Sequence, residues 1–509
     1  MLVQNDEGFS RYSYKSDNPA RSIIYLLGGW RASVHLTTSQ FQQWHRQNVF
    51  TIEDIYALIH AGFDIEVIGP LGLEESTRKK KESIYWCGML IDAGVPVDAY
   101  GPDGLSALQI AAGKEEDVHD AQSFNKPPWD SLVYYLLDRG ANINLPASDD
   151  GGRTALQNAA ESSRFGRVGY LIDAGADVKA PPAKNRGLTA LEAAAKPENY
   201  MRLREGKSAT PKVYIGMFKK LLDLGAPVKR ADGSSAILLN ALIQSYWHRE
   251  ERHGCLELVL DAGANPNGRS AEDTRNWLGE TEENLVMCTP LQSAARNLDP
   301  SAVSALLRHG ADINAPAYSY HGYTALQGVA GAELKKLRYT NARRHGEKQI
   351  LITNNLLRGF ADVNAPAADE FGRTTLQAAI LNENYNHALV TLLLNNNADI
   401  NAPPAAKGGV TALQAAAIRG NVPVAKLLIS KGANVNAPGS LEEGRTALEG
   451  AAEHGRLDMV QMLLANGAMP DPVVGFSRAT ELAISESHFH IADLLDHYWT
   501  SHIFNDLMH

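Results

Sequence analysis

The sequence contains few cysteines, which limits the kinds of structure it can form. Its 509 residues include 3 cysteines, Cys87, Cys255 and Cys288. The number is odd, and the spacing does not resemble that of metal ligands. We therefore expect a reducing compartment and no metal bound by cysteine. A group of histidines near the end, which includes His488 and His490, is spread along a predicted helix, so we expect no metal there either.

Positive charge is in the minority. There are 48 Lys and Arg residues against 58 Asp and Glu residues, which gives a formal net charge of -10. A molecule of this charge repels nucleic acid and anionic lipid. We therefore expect neither as a partner.

Long hydrophobic runs are lacking as well. The opening "MLVQNDEGFSRYSYKSDNPA" has no apolar stretch of the kind found in signal peptides. The run "SIIYLLGGW" is far shorter than the roughly 20 apolar residues that cross a bilayer. These absences predict no membrane association and a cytoplasmic or nuclear location. The initial methionine and the non-repetitive start favour a complete product over the alternative that the chain is the repeat portion of a larger receptor-like or regulatory protein.

Signatures of known enzyme classes are also missing. The chain has neither Gly-x-Gly-x-x-Gly nor Gly-x-Ser-x-Gly, and "GKS" at 206–208 follows Met201 where a phosphate-binding loop needs glycine. We therefore predict no catalytic residue and no cofactor.

What the chain does contain is one phrase, repeated many times. It reads "GRTALQNAA…YLIDAGADVKAPPA" near residue 152 and "GVTALQAAAIRGNVPVAKLLISKGANVNAPGS" near residue 409. Such self-similarity predicts a stack of one repeated unit. The leucine of the Thr-x-Leu step marks the register at Leu108, Leu156, Leu191, Leu291, Leu326, Leu376, Leu413, Leu448 and Leu482.

Glycine marks the end of the second helix in most copies. It stands at Gly62, Gly94, Gly140, Gly175, Gly225, Gly263, Gly310, Gly432 and Gly467. Asn397 replaces it once, and asparagine tolerates the left-handed conformation found just past a helix end. Phe360 is the exception at this position, and we expect the neighbouring Gly359 to act as the helix-ending glycine.

The residue pattern of each copy predicts, in order, a helix, a turn, a second helix and an extended hairpin. The threonine of the phrase directly precedes the first helix, where its hydroxyl can accept a hydrogen bond from a free backbone N–H. It occurs at Thr154, Thr189, Thr324, Thr374, Thr411 and Thr446. Proline after the second helix ends helical geometry.

These features together resemble ankyrin repeats: Thr-x-Leu-x-x-Ala-Ala, Leu-Leu, Gly-Ala-Asp-x-Asn and a spacing near 33 residues. The resemblance covers roughly residues 50 to 500 and implies an all-α solenoid of about eleven units with β-hairpin fingers. We expect an N-terminal cap at 1–50, the repeat array at 51–475 and a C-terminal capping repeat and tail at 476–509.

The chain departs from the family pattern in three ways. Glutamine or glutamate replaces the usual histidine of Thr-Pro-Leu-His, and it can form hydrogen bonds between adjacent hairpins. The fingers are longer than usual, and several units carry insertions between their helices. Those insertions support an alternative function, in which they wall off an enzymatic or small-molecule pocket lined by residues such as Trp129, Trp247, Trp277 or Tyr200.

Residues at the finger tips are the candidates for partner binding, because variable side chains on a fixed scaffold are the usual means of recognition. The candidates are Arg153, Arg186, Tyr318, Tyr320, His321, Tyr323, Phe371, Arg373 and Arg445. In the alternative interpretation, each arginine before a threonine only supports its own turn. The resemblance implies a monomeric protein–protein interaction scaffold whose concave face of fingers and first helices binds another protein.

Overall fold

The computed structural model shows a mostly helical protein. It describes residues 4–5, 8–9, 52, 55–56, 59, 65–78, 83–114, 132–196, 211–244, 249–271, 287–318, 322–333, 342–442, 444–469 and 476–507. The chain divides into two compact units, Met1–Pro227 and Val228–His509. The division lies inside the expected array at 51–475, and the expected boundaries near residues 50 and 475 stay predictions.

The first unit begins with a two-stranded antiparallel pair and continues with helices. The strands are β1 (Gln4–Asn5) and β2 (Gly8–Phe9). The helices are α1 (Ile65–Arg78), α2 (Ser83–Asp92), α3 (Ala107–Gly113), α4 (Leu132–Asp138), α5 (Ala155–Glu161), α6 (Phe165–Asp173), α7 (Ala190–Ala195) and α8 (Pro211–Asp223). From α3 to α8, first helices of 6 or 7 residues alternate with second helices of 7 to 13 residues.

The second unit continues this alternation. Its helices are α9 (Ala236–Gln244), α10 (Arg249–Asp261), α11 (Pro290–Arg296), α12 (Pro300–Arg308), α13 (Ala325–Ala330), α14 (Ala342–Arg358), α15 (Thr375–Leu381), α16 (His387–Asn395), α17 (Ala412–Arg419), α18 (Val422–Ser430), α19 (Ala447–Glu453), α20 (Leu457–Ala465), α21 (Ser477–Ser485) and α22 (Phe489–Leu507). The strands β3 (Ser270–Ala271) and β4 (Met287–Cys288) form an antiparallel pair. Odd-numbered helices are first helices and even-numbered helices are second helices.

Eight first helices in the described part of the chain begin at a reciprocal pair of hydrogen bonds, as the threonine pattern predicts. At α17, the Thr411 hydroxyl accepts from the backbone N–H of Gln414 at 3.3 Å, and the Gln414 side chain accepts from the Thr411 N–H at 2.8 Å. This capping box satisfies two N–H groups that a helix start leaves free. The same box begins helices at Ser106, Thr154, Thr189, Thr289, Thr324, Thr374 and Thr446.

The glutamine of the capping box also ties its helix to the segment that follows the second helix. The Gln414 side-chain amide donates to the carbonyl oxygens of Ala437 and Pro438 at 3.1 and 2.9 Å. Gln377 makes the equivalent bonds to Ala402 and Pro403. The predicted hydrogen bond is therefore present, but it joins a first helix to the next finger and does not join two hairpins.

The ends of the second helices confirm the left-handed positions, with one correction. The eight glycines named above from Gly94 to Gly467 have positive φ, and Asn397 has a φ of 61°. The expectation for Gly359 is wrong, because Phe360 itself adopts the left-handed conformation with a φ of 65°. Gly359 is needed for space instead: a Cβ there would lie 2.7 Å from the Ile313 side chain.

Alanine allows the first helices to approach one another closely. Within the second unit α15, α17, α19 and α21 pack in sequence order, and Ala415, Ala416 and Ala417 are fully buried between neighbours. The second helices contribute larger side chains to the same core, such as Leu393 and Leu428. Burying one leucine side chain contributes roughly 1.5–3 kcal/mol, so each helix pair depends on its neighbours.

Asparagine side chains link successive connecting segments in the second unit. The Asn436 amide donates to the Gly467 carbonyl at 2.9 Å, and its oxygen accepts from the Met469 N–H at 2.8 Å. The same two-way link is made by Asn267, Asn314, Asn364 and Asn401. The Asn-Ala-Pro phrase of the sequence therefore stabilises the spacing between neighbouring units.

In the C-terminal pair of helices, Leu482 does not take the buried position that the register assigns to the leucine of the Thr-x-Leu step. Leu482 is only half-buried, whereas Thr480 is buried. The middle of α22 continues the packing through aromatic contacts, since the Phe476 ring lies 6.2 Å from the rings of both Tyr498 and Trp499. None of the helices in the described part of the chain has the length and apolar character needed to cross a bilayer.

Candidate functional site

Three connecting segments of the second unit align their tips through backbone hydrogen bonds. The Phe371 N–H donates to the Lys407 carbonyl, and the Gly408 N–H donates to the Glu442 carbonyl, both at 3.1 Å. The Glu442 N–H donates back to Ala406 at 3.1 Å. These contacts are isolated parallel bridges rather than hairpin strands. We call residues 369–371, 406–408 and 441–442 the finger-tip row.

Glycine permits the tight return of each finger. A Cβ on Gly372 would lie 2.3 Å from the backbone of Ala368, and a Cβ on Gly409 would lie 2.2 Å from the backbone of Ala405. No side chain fits at such a distance, so glycine closes each loop just before the threonine of the next helix. The glycine of the Gly-Arg-Thr phrase therefore fixes the position of the tips.

The finger-tip row exposes acidic and apolar side chains. Asp369, Glu370 and Glu442 are exposed, and the Lys407 amine lies 5.6 Å from the centre of the Phe371 ring. Three carboxylates and one amine give the described row a net charge of about -2 at neutral pH. Leu441 at the last tip is 92% exposed, so an apolar side chain lies beside the acidic ones.

Arg373 and Arg445 were predicted to bind a partner, and the structure places both against backbone carbonyls. Arg373 donates to Phe371, Gly372 and Gly408 at 2.8–3.0 Å. Burial lowers the pKa of Arg373. Arg445 donates to Gly444 at 3.2 Å. These bonds hold the base of the fingers, which agrees with the interpretation that each arginine supports its own turn.

Two of the arginines each donate to the carboxylate of a glutamate eight residues further along the chain. Arg445 donates to the carboxylate of Glu453 at 3.1 and 3.2 Å, and Arg153 in the first unit donates to Glu161 at 2.6 Å. Glu161 and Glu453 were not predicted as functional. The signal was present in the sequence, because both arginines precede a Thr-Ala-Leu helix that ends in glutamate.

The first unit has its own pair of bridged tips. Asp150 and Asn185 form a parallel bridge, and the Arg186 side chain donates to the Asp150 carboxylate at 2.8 Å across it. Arg153 donates to the carbonyls of Gly151, Gly152 and Arg186. The structure thus brings Arg153 and Arg186 together, with Arg153 below the tips and Arg186 partly exposed.

Glu161 in the first unit is a largely buried carboxylate with two cationic partners. Its side chain accepts from Arg153 and from Lys196, each at 2.6 Å. Burial alone would raise the pKa of Glu161, but the charges of Lys196 and Arg153 and their hydrogen bonds lower it below the ordinary value. The carboxylate is therefore ionised and internally paired, which indicates a structural role.

The tyrosines of the predicted site lie in different environments. Tyr318 is exposed, whereas Tyr323 is only 7% exposed. The Arg296 guanidinium lies 4.8 Å from the centre of the Tyr323 ring, and a Cβ on Gly328 would lie 2.9 Å from that ring. Tyr323 therefore belongs to the core between helices, and Tyr320 and His321 lie outside the described residues.

A buried acid joins two neighbouring repeats of the second compact unit, where α10 packs against α12. The Asp299 carboxylate caps α12, accepting from the Ala302 N–H, and it contacts Arg252 at 2.5 Å and His253 at 2.9 Å. Burial would raise the pKa of Asp299, but the hydrogen bond from His253 and the charge of Arg252 hold it at about 2. Sequence inspection did not single out this cluster.

The residues proposed to line an enzymatic or small-molecule pocket lie outside the described part of the chain. They are Trp129, Tyr200, Trp247 and Trp277. Most of the first two inter-helix insertions lies there as well, whereas about half of each of the other two belongs to α10 and α14.

Comparison with known families agrees with the repeat pattern. Residues 386–473 match a family described as "Ankyrin repeats (3 copies)", and residues 287–318 match one described as "Ankyrin repeat". No curated protein matches the chain. The resemblance to ankyrin repeats is confirmed for these two segments, both of which lie in the second unit.

Proposed function

Because residues 287–318 and 386–473 of this chain are ankyrin repeats, we propose that it binds another protein through the finger-tip row of the second unit. Ankyrin repeats are generally protein–protein interaction modules, and stacked repeats present extended binding surfaces. We infer about eleven units whose fingers and first helices form the concave binding face, as the sequence resemblance implies.

The observation that supports this proposal is the backbone register of the finger-tip row. Glu370, Lys407 and Glu442 are bridged in sequence, and the arginines below them hold the bases of the fingers. Side chains on such a fixed frame lose little conformational freedom on binding, so modest contacts over several units are sufficient.

The charges of the row indicate the chemistry of the partner. Exposed carboxylates at Asp369, Glu370 and Glu442 favour a basic segment, and the exposed Leu441 favours an apolar residue beside it. Electrostatic complementarity of this kind sets specificity and association rate. Of the residues proposed from sequence, Phe371 and Tyr318 fit a direct contact, while Arg153, Arg373 and Arg445 act by positioning the fingers. Arg186, Tyr320 and His321 remain proposed members of the surface, whereas the buried Tyr323 supports it from the core.

The remaining expectations from the sequence belong to the same proposal. The protein acts as a monomer in the cytoplasm or nucleus and binds neither nucleic acid nor a membrane. The acidic balance of the chain supports the part of this assignment that concerns nucleic acid and anionic membranes.

The test compares two variants of the full chain in quantitative affinity capture from a cell lysate. The tip variant carries Glu370→Lys, Leu441→Ser and Glu442→Lys. The control carries Glu347→Lys, Leu351→Ser and Asp458→Lys on exposed positions of second helices. We expect a protein captured by the wild type and the control to be lost with the tip variant. Loss with the control and retention with the tip variant would place the binding surface on the second helices.

A further inference from the structure

The second unit brings three metal-ligating side chains together where α10 packs on α12. Glu257 and Asp261 lie one helical turn apart on α10, so they share one face, and His309 directly follows α12. The His309 Nε2 lies 3.8 Å from a Glu257 oxygen and 3.5 Å from an Asp261 oxygen. All three ligand atoms lie within 4.8 Å of one another.

These separations are close to those of ligands around one metal ion. Four ligands at zinc bond lengths of about 2.0–2.1 Å are separated by about 3.3 Å in a tetrahedron. The two distances from His309, 3.5 Å and 3.8 Å, exceed that value by only a few tenths of an ångström. One imidazole with two carboxylates is a donor set that zinc accepts, and hard oxygen-seeking ions such as calcium do not use imidazole.

Arg308 supplies a second feature of a built metal site. Its guanidinium contacts one oxygen of Glu257 at 2.5 Å, and the other oxygen of that carboxylate is the one closest to His309. Groups that hydrogen-bond a metal ligand fix its orientation and are a regular part of metal sites. The arginine therefore contacts the Glu257 oxygen that does not face His309.

The equivalent junction in the first unit lacks these features. There Asp92 at the end of α2 contacts Arg139 at 2.6 Å, in the positions that Asp261 and His309 take in the second unit. The place of Glu257 is taken by Gly88. An ordinary ion pair is thus sufficient to join two units at this point. Imidazole and the additional carboxylate are particular to the second unit.

We propose that Glu257, Asp261 and His309 bind a zinc ion that joins α10 to α12. Water completes the coordination, because three protein ligands leave a fourth position open. The ion joins two neighbouring repeats, both within the second compact unit, and therefore stabilises that compact unit. This assignment departs from the expectation, drawn from the sequence, that the chain binds no metal.

The test measures zinc binding by the full chain after chelator treatment, by calorimetric titration and by thermal unfolding. We expect one zinc equivalent to be lost, together with the zinc-dependent rise in melting temperature, in His309→Ala and in the nearly isosteric Glu257→Gln. Arg308→Ala is expected to weaken binding by roughly 10- to 100-fold. Asp92→Asn serves as the matched control at the equivalent junction and should bind zinc as the wild type does.

The C-terminal histidines are separated from this site by a further variant. A double change of His488 and His490 to alanine is expected to keep the equivalent that His309→Ala loses. The proposal is overturned if His309→Ala and Glu257→Gln bind as many zinc equivalents as the wild type. It is also overturned if zinc leaves the melting temperature of the wild type unchanged.

Discussion

The Asn314 side-chain amide donates to the carbonyl oxygen of Phe360 at 3.1 Å, and Phe360 holds a φ of 65°. The left-handed conformation costs a residue with a Cβ roughly 1–2 kcal/mol. The Phe360 side chain gains little burial in return, because it is 88% exposed. The conformation is held by its neighbours, since the Asn314 oxygen also accepts from the Asp362 N–H at 2.8 Å.

Replacing Phe360 by glycine should therefore stabilise the second unit. Glycine adopts positive φ without steric cost, although it also gains entropy in the unfolded chain. We expect Phe360→Gly to raise the free energy of unfolding by about 1 kcal/mol, measured by urea denaturation. Phe360→Ala removes the exposed ring but keeps the backbone cost, so an equal gain from alanine would contradict the explanation. Asn397→Gly, at a φ of 61°, should give a smaller gain.

Substitution of the buried Gln377 should strongly reduce the stability of the fold, because this one side chain satisfies three backbone groups. It accepts from the Thr374 N–H at 2.9 Å and donates to the Ala402 and Pro403 carbonyls at 3.0 and 3.2 Å. Gln377→Ala leaves these groups without a partner, which we expect to cost about 2–4 kcal/mol of unfolding free energy. Chemical denaturation measures the loss, and a change within experimental error would refute this role.

Gln377→Glu separates the capping bond from the bonds to the two carbonyls. Glutamate still accepts from the Thr374 N–H, but its ionised form faces two carbonyl oxygens and cannot donate. Burial raises the pKa of such an acid above its unfolded value of about 4.3. The variant should then be most stable below about pH 4 and lose stability as pH rises. Gln377→Ala should not show this trend, which makes it the control.

Asp299 should give the second unit a contribution to stability that depends on pH in the opposite direction. Its pKa lies at about 2, below the ordinary value of 3.8. A depressed acid stabilises the fold fully above about pH 4, and the contribution is lost as pH falls toward 2. The difference between the two pKa values corresponds to about 2 kcal/mol.

The Asp299→Asn variant tests this dependence. Asparagine caps a helix as well as aspartate does, so the loss of about 2 kcal/mol at neutral pH reports the contacts with Arg252 and His253. Stability of the variant and the wild type should converge toward pH 2. Asp458→Asn, at an exposed carboxylate in the first turn of α20, should change stability far less. A pH-independent difference for Asp299→Asn would argue against the assignment.

Local features of the sequence predicted local structure well. Thr411 and its equivalents cap helices through bonds that span three residues, and Asn397 takes a left-handed position like the glycines. Phe360 was mispredicted because Gly359 next to it has the stronger local preference. The position of Ile313 in the neighbouring unit, which no local pattern contains, reserves Gly359 for close packing.

The candidate site was predicted less completely. The sequence located the fingers but left open whether Arg153, Arg373 and Arg445 bind a partner or support their own turns. The structure shows them bonded to carbonyl oxygens at the finger bases. It leaves Leu441, which no motif marks, exposed at a tip.

The sequence by itself determined the repeated helix pair, its caps and its stops, because these depend on contacts within one helical turn or one unit. Only the tertiary structure decided which charged side chains are paired inside and which face solvent. It alone placed His309 beside Glu257 and Asp261. The physical reason is that such neighbours belong to different units, and their distance depends on how the second helices pack rather than on any spacing along the chain.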